Sequence, residues 1–370
     1  HVIDNARGYA GVGGTSTAAL YPNLPDVEVD AIAFGNLTPT GFALGNYGPG
    51  DYIYMAIRRP MKPAEEFEPE ELFDVGTYTG TNGTLVSAIE FPFNTDMFML
   101  KRADASGKNH VFNRLTGYPL TGGNQPVPYL ATSEADAISD AYTFRSSDAR
   151  DIAVAQDGGS NLSVSGGTYI NYGWRRAPGF FDVVTYAGDS VVGREVPHNL
   201  KAVPEMMWVK SADGDRSWNV YSKTIGNENR LLLNADFLIN VNGRWNDTDP
   251  TDSVFTVDDN QDVNSSLYNY IALLWASVPG ICDIGSYTGN GQGSGLQIDC
   301  GFTNGARFVL VKRTDANGNW MYWDILRGQN ETLALNLTDA QKFGNVWPPY
   351  APGFQVNQYA ANGADWDPNV

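Results

Sequence analysis

Cysteine, histidine and charged residues are all scarce in this sequence. Of 370 residues, 2 are cysteine, 3 are histidine and 18% are charged. Cys282 and Cys300 alone supply no disulfide framework, and two buried thiols are a simpler interpretation than a disulfide pair. Basic residues are outnumbered, since 24 Lys+Arg stand against 42 Asp+Glu and give a formal net charge of -18. This acidic excess argues against sequence-independent binding of nucleic acid and against attraction to an anionic membrane surface.

Long apolar runs and helical periodicity are also missing. No apolar run approaches the roughly 18 residues of a membrane-spanning helix, and no stretch longer than about ten residues repeats with a period of 3.6. Glycine (40), proline (20) and aromatic residues (12%) are plentiful instead, and 42% of the residues are hydrophobic. Frequent turns, aromatic strands and enough apolar surface for packed cores predict an all-β protein.

An internal repeat is the strongest pattern in the chain. The sequence Asp-Val-Gly-Thr-Tyr-Thr-Gly at 74–80 returns in similar form at 182–188 and 283–289, after 108 and 101 residues. Each copy precedes an apolar strand that ends in lysine, at Lys101, Lys210 and Lys312, and then a turn containing aspartate or glycine. Self-similarity at a fixed period predicts tandem structural units, here of about 100 residues.

The two ends of the sequence resemble partial units. Tyr52-Ile53 matches 169–170 and 270–271, so residues 1–60 correspond to the latter half of a unit. Gly353-Phe354 matches Gly41-Phe42, and no Tyr-Ile strand follows it. We therefore expect that this sequence is a segment of a longer array of such units. Its predicted parts are a half unit at 1–60, an acidic proline-rich linker at 61–73, complete units at 74–180 and 181–281, and a unit at 282–370 that lacks its last strand.

Each unit is predicted to be an antiparallel β-sandwich, because turn signals recur about every 8–12 residues. Both jelly-roll and immunoglobulin-like connectivity fit this spacing. Short, proline-stiffened joints at 177–181 and 278–281 predict that the units stack as a semi-rigid rod. The strands predicted for the first complete unit lie near 74–79, 85–91, 97–102, 109–114, 129–132, 142–145, 151–155 and 168–175.

Aspartate residues crowd one stretch of the second complete unit. The oxygens of Asp249, Asp252, Asp258 and Asp259 could ligate a hard cation such as Ca2+. The spacing is not that of a helix-loop-helix calcium site, and a solvated loop explains the same composition. No other cofactor is predicted.

Tryptophan residues are the second group of candidate site residues, because sugar rings lay their C–H faces on aromatic rings. Trp245 and Trp347 stand in polar surroundings rich in Gly, Asn and Pro, so they are the candidates for an exposed glycan contact. Trp218 and Trp320 are at least as well explained as filling of a sandwich core.

No catalytic constellation stands out. The three histidines, His1, His110 and His198, lie far apart, and nucleophile-elbow, phosphate-loop and His-Glu-x-x-His motifs do not occur. His198 occupies the position that Cys300 takes in the next unit, which predicts a packing role. We therefore predict no catalytic residues and no enzyme activity.

Four motifs together resemble a repeat family of tail-fibre-like virion proteins of tailed phages, many of them marine or cyanobacterial. They are Asp-Ile-Gly-Ser-Tyr-Thr-Gly at 283–289, Phe-Val-Leu-Val-Lys-Arg at 308–313, Asp-x-x-Arg-Gly at 324–328 and the Tyr-Ile strand with Arg58-Arg59-Pro60. The likeness spans essentially the whole chain and is weakest over 117–165.

This resemblance implies a non-enzymatic virion-surface protein of the adsorption apparatus. The expected partners are further copies of the chain in a homotrimer, other virion proteins and a host-surface glycan or receptor. Neither nucleic acid nor membrane insertion is expected. Two alternatives stay open at this point: a tailspike-like polysaccharide depolymerase and a cellular surface adhesin of similar design.

Overall fold

The computed structural model describes most of the chain from residue 62 onward. The described residues are 62–81, 86–116, 125–146, 151–155, 162–289, 295–329, 331–343 and 349–356, with Met55 and four two-residue strands nearer the start. These are β1 (Ala18–Ala19) paired with β2 (Val29–Asp30), and β3 (Leu37–Thr38) paired with β4 (Gly41–Phe42). The rest of the predicted half unit at 1–60 lies outside the described residues.

Helix is almost absent from the described residues. Two 3-10 helices, Ala64–Glu66 and Pro69–Glu71, lie within the predicted linker. No helix in the described part of the chain is long and apolar enough to span a membrane. The remaining elements are strands in antiparallel sheets, so the prediction of an all-β, β-sandwich-like fold is confirmed.

The first region, residues 73–174, forms one eight-stranded antiparallel sheet in the order β5-β12-β7-β8-β9-β10-β11-β6. All eight strands predicted for this stretch are present with small shifts of their ends. They are β5 (Phe73–Thr79), β6 (Val86–Glu90), β7 (Met97–Arg102), β8 (His110–Asn113), β9 (Gln125–Ala131), β10 (Ser139–Ser146), β11 (Asp151–Ala155) and β12 (Thr168–Trp174).

The second region, residues 181–275, has a main sheet of five strands in the order β13-β19-β15-β16-β17 and a separate pair, β14-β18. Its strands are β13 (Phe181–Ala187), β14 (Arg194–Pro197), β15 (Met206–Ser211), β16 (Asn219–Ser222), β17 (Leu231–Leu232), β18 (Val254–Val257) and β19 (Asn269–Trp275). This order matches that of β5, β12, β7, β8 and β9 in the first region.

The third region, residues 296–356, has a main sheet in the order β21-β22-β23-β24 and a smaller one in the order β20-β26-β25. Its strands are β20 (Leu296–Asp299), β21 (Phe308–Lys312), β22 (Trp320–Asp324), β23 (Glu331–Ala334), β24 (Lys342–Phe343), β25 (Pro349–Tyr350) and β26 (Gly353–Val356). The run β21-β22-β23 matches β7-β8-β9 and β15-β16-β17.

Each main sheet has one face toward its own region and one face toward the other two. The faces turned to their own region form three separate cores, represented by Phe98, Tyr221 and Trp323. The opposite faces meet in one central core, which includes Val111, Val220 and Tyr322 from the equivalent strands β8, β16 and β22. Successive side chains of a strand point to opposite faces of its sheet, and here each face is covered by a core. This explains why β8, β16 and β22 are buried at every residue.

Direct contacts between the first and third regions differ from the predicted rod. The backbone N–H of Gly107 donates to Thr338 O (2.7 Å), and that of Gln341 donates to Ala103 O (2.8 Å). In a linear stack each unit touches only its neighbours, so the first and third would be apart. Among the described residues the three main sheets surround one core instead.

Candidate functional site

Three buried side chains join the main sheets in a closed ring, which we call the three-sheet junction. The bonds run from Trp218 Nε1 to Ala131 O (2.9 Å), from Trp320 Nε1 to Leu232 O (2.7 Å) and from Asn109 Nδ2 to Ala334 O (3.0 Å). The second sheet thus donates to the first, the third to the second and the first to the third. Each acceptor carbonyl also accepts a longer backbone bond within its own region, at 3.4 Å from the N of Glu134, Ala235 or Leu337, so the side-chain donor supplies the shorter of the two bonds.

The donors and acceptors of the junction stand at equivalent places in the strand pairing. In each sheet the residue after the donor pairs with the acceptor residue of the same sheet, as His110 does with Ala131 and Asn219 does with Leu232. A second ring of backbone bonds begins seven residues after each acceptor. Its members are Ile138 N to Ala212 O (2.7 Å), Ile239 N to Thr314 O (3.1 Å) and Gln341 N to Ala103 O (2.8 Å).

A buried polar cluster lies between the first and third sheets. Tyr172 Oη donates to Asp324 Oδ2 (2.8 Å), and Arg327 Nε donates to the same oxygen. Tyr322 Oη donates to Asn109 Oδ1 (2.7 Å), which orients the amide that completes the ring. Burial raises the pKa of Tyr172 and of Tyr322 well above the ordinary value for a phenol. Both phenols therefore remain protonated donors, so this cluster holds two sheets together.

Two buried lysines occupy equivalent positions at the ends of β7 and β15. Lys210 Nζ donates to Ser211 O (2.7 Å) and Gly214 O (3.1 Å), while Lys101 Nζ donates to Gly107 O and, at 3.5 Å, to Leu337 O of the third region. Their partners are neutral carbonyls, so the charge is poorly compensated. Burial lowers the pKa of both lysines to about 8.

These lysines predict a rise in stability as the pH increases above neutrality. The unfolded chain keeps an ordinary lysine pKa near 10.4, so it binds more protons than the folded chain between about pH 8 and 10. We expect the free energy of unfolding of the wild type, relative to Lys210→Met, to rise by about 1 kcal/mol between pH 7 and 9. Urea unfolding at both pH values measures it. The double variant Lys101→Met/Lys210→Met should double the effect, and a difference that does not change with pH would contradict the buried positions.

Trp245 is a correction to the sequence prediction. Its side chain is 0% exposed, and its Nε1 donates to Asn229 O (3.0 Å). It packs against Tyr221 in the core of the second region, with ring centroids 5.7 Å apart. A buried indole offers no face to a sugar, so the predicted exposed contact is wrong here. Trp347 lies outside the described residues and stays a prediction.

The four candidate calcium ligands are not brought together. Asp249 accepts a bond from Asn227 Nδ2 (2.8 Å), whereas Asp258 lies near Arg244, 3.9 Å from its Nη1, and burial raises the pKa of Asp258. Asp252 and Asp259 are exposed. The described residues contain no group of three or more His, Cys, Asp or Glu side chains arranged to hold a metal ion. The predicted cation site is therefore not formed by these four residues.

His198 and the cysteines have the roles expected of packing residues. His198 is buried, its Nδ1 accepts from Leu200 N (3.2 Å), and its Nε2 lies 3.1 Å from Thr251 O. Cys282 and Cys300 are free and half-buried thiols. The burial of His198 agrees with its predicted packing role, whereas the two thiols, predicted to be buried, are only half-buried.

The sequence analysis did not identify Asn109 of the three-sheet junction, or Tyr172 and Asp324 of the buried polar cluster. The strand pairing of the structure puts Asn109 at the position of Trp218 and Trp320. Chemically, the junction offers hydrogen bonds and packing between sheets.

The comparisons with known proteins give one match. No curated protein and no solved structure matches the chain. A family profile described as "Domain of unknown function (DUF7483)" matches residues 68–363, a span that includes all three main sheets. Because that match covers well over half of the sequence, the chain belongs to the DUF7483 family.

Proposed function

We propose that the chain is a non-enzymatic structural protein of the tail-fibre or adsorption apparatus of a tailed phage, exposed at the virion surface. The observation that carries the proposal is the three-sheet junction, in which equivalent strands and equivalent donors surround one buried core. The resemblance of the repeat motifs to tail-fibre-like virion proteins supplies the biological setting.

The proposal includes a repeated unit of about 100 residues. The shared strand order and the two rings of equivalent bonds support three copies of one ancestral unit. A fold built from copies must bury the same apolar face in each copy, and packing three such faces together does this without a separate partner. We propose a closed group of three units as the building block, in place of the linear rod.

Display of equivalent surfaces is the function that this arrangement supports. The three central faces are covered by each other, so the outer loops of the units point outward around a common core. Several weak contacts presented together bind a host surface more tightly than one contact does. The proposed partners are a host-surface glycan or receptor, other virion proteins and further copies of the chain in a homotrimer.

Labelling of virions tests the location. Antibodies raised against the purified chain should decorate the tail fibres or adsorption structures of the phage that encodes it, as seen by negative-stain electron microscopy. Antibodies that have been pre-absorbed with the purified chain serve as the control and should not label the virions. Labelling of host cells without label on virions would support the adhesin alternative and contradict the proposal.

Incubation with polysaccharide from the same host tests the absence of enzyme activity. We expect the purified chain to release no oligosaccharides from this polysaccharide. A measured increase in reducing ends over a heat-denatured sample would instead support the depolymerase.

Light scattering coupled to size-exclusion chromatography gives the mass of the particle in solution and so tests the proposed homotrimer.

A further inference from the structure

An exposed aromatic ring lies on a loop of the second region. Phe237 has 56% of its surface exposed, and it is the only aromatic residue of the exposed class among those whose burial the structure describes. Leu238 and Val241, in the same loop, are 46% and 85% exposed. Apolar side chains that are exposed together indicate a contact surface, whereas a single one does not.

Phe237 belongs to one of three equivalent segments that cross from one region to the next. We call these segments straps, and they run between the two rings of bonds at residues 132–138, 233–239 and 335–341. The position of Phe237 is taken by Asp136 in the first strap and by Asp339 in the third, and both aspartates are exposed. Because these two straps make the same backbone bonds with aspartate in place, the fold does not require a phenylalanine there.

The third region holds the second strap on both sides of Phe237. Three hydrogen bonds join them, from Ile239 N to Thr314 O (3.1 Å), from Leu238 N to Asn317 Oδ1 (3.3 Å) and from Gly318 N to Asp236 O (2.7 Å). A loop that is ordered before binding loses little conformational freedom when a ligand docks. The backbone that carries Phe237 is therefore preformed for a contact.

Neutral amides and a carboxylate surround the exposed apolar side chains. Asn240 and Asn242 follow Phe237 in the loop, and Asn317 lies on the turn that the strap crosses; all three are exposed. An amide both donates and accepts hydrogen bonds, which suits hydroxyl groups. The exposed carboxylate of Asp236 repels anions. These surroundings favour a neutral ligand that is rich in hydroxyl groups.

We propose that Phe237 and the neighbouring amides form a binding site for a neutral sugar ring of a host-surface glycan. This inference rests on the proposed function, because it names where the glycan partner is bound. The C–H face of the sugar lies on the phenyl ring, and its hydroxyls bond the amides of Asn240 and Asn317. One such contact is weak, and several copies of the chain on one virion strengthen it by avidity.

Charge argues against a second copy of the chain as the occupant of this surface. The chain has a formal net charge of -18, and Asp236 is exposed next to Phe237. A symmetric contact between two copies brings the same surface of each together, so their carboxylates would face each other and repel. A neutral glycan meets no such repulsion.

Binding to surface polysaccharide extracted from the host tests the site. The polysaccharide is immobilised, and the affinity of the full chain is measured by biolayer interferometry. Phe237→Asp gives the second strap the residue of the other two straps, so we expect the same urea midpoint of unfolding as the wild type. We expect its affinity to fall by about tenfold or more, as for loss of an aromatic anchor.

Two control variants separate the ring from general surface effects. Phe237→Tyr keeps an aromatic ring and should bind like the wild type. Leu267→Asp changes an apolar side chain that is 78% exposed on another loop, and it should also bind like the wild type. The affinity of the wild type should not depend on the salt concentration, because a neutral sugar forms no ion pair. A steep dependence on salt would contradict a neutral ligand.

The competing outcomes are distinct. Equal binding by the wild type and Phe237→Asp would overturn this site and leave the proposed function in place. Absence of binding by the wild type would also overturn it, and antibody labelling of virions then shows whether the proposed function fails as well. Dimers of the wild type that Phe237→Asp does not form, as seen by light scattering, would mean that a second copy occupies the surface.

Discussion

Replacing Trp320 by alanine should lower the free energy of unfolding by about 3–5 kcal/mol, which is the usual loss for a fully buried tryptophan. The indole is buried in the central core, and its Nε1 bonds Leu232 O of the second sheet. The change therefore removes packing and the shorter of two hydrogen bonds to a carbonyl of another region, which keeps the longer one from Ala235 N (3.4 Å). Chemical denaturation followed by circular dichroism measures the loss.

The location of the destabilisation is the sharper part of this prediction. Trp323 lies on the same strand as Trp320 but on its other face, in the core that belongs to the third region alone. Trp323→Ala is thus a matched control of the same size. We expect Trp320→Ala to accelerate hydrogen exchange in the second region, near Leu231 and Leu232, whereas Trp323→Ala accelerates it mainly in the third. The same pattern for both variants would contradict a core shared by the three sheets.

The strands were predictable from the sequence because their signals are local. Alternation, aromatic content and regularly spaced turn residues identified all eight strands of the first region. The equivalence of the lysines at 101 and 210 was also visible, and both are buried at the ends of equivalent strands. Each of these features depends on residues close together in the chain.

The packing of the units was not predictable in the same way. An apolar face needs a cover, but its periodicity does not tell whether the cover comes from the same unit or another. Trp218 and Trp320 fitted a core in either case. Their Nε1 atoms bond carbonyls 87 and 88 residues away in sequence, and no local pattern specifies such a pairing.

Composition near Trp245 led to the wrong interpretation for a related reason. The flanking residues Arg244 and Asn246 are polar, which suggested an exposed ring. In the structure the indole is buried and its Nε1 donates to Asn229 O, while Arg244 lies near Asp258 and Asp262. A polar sequence environment describes the loop and not the direction of one side chain.

The buried pair of Asp324 and Arg327 gives the second large effect. We expect Asp324→Ala to lower the free energy of unfolding by about 3–5 kcal/mol, because it leaves a buried guanidinium without its carboxylate. Both side chains are at most 4% exposed. Within the described part of the chain, Arg327 Nη1 and Nη2 have no hydrogen-bond partner. Because the guanidinium is buried, water cannot replace the lost carboxylate. The variant also removes the acceptor of Tyr172 Oη and so weakens the link between the first and third sheets.

Two further variants separate the ion pair from the turn that Asp324 caps. Asp324 Oδ1 accepts from the backbone N–H of Leu326 and of Arg327, both at 3.0 Å, and Asn113 caps the equivalent turn of the first sheet with a neutral oxygen. Asp324→Asn should therefore keep the turn and lose only the charge. If the loss comes from the unpaired guanidinium, Asp324→Asn/Arg327→Met should be more stable than Asp324→Asn by about 1–3 kcal/mol. The single variant Arg327→Met completes the double-mutant cycle, and additive losses would show that the two side chains are not coupled.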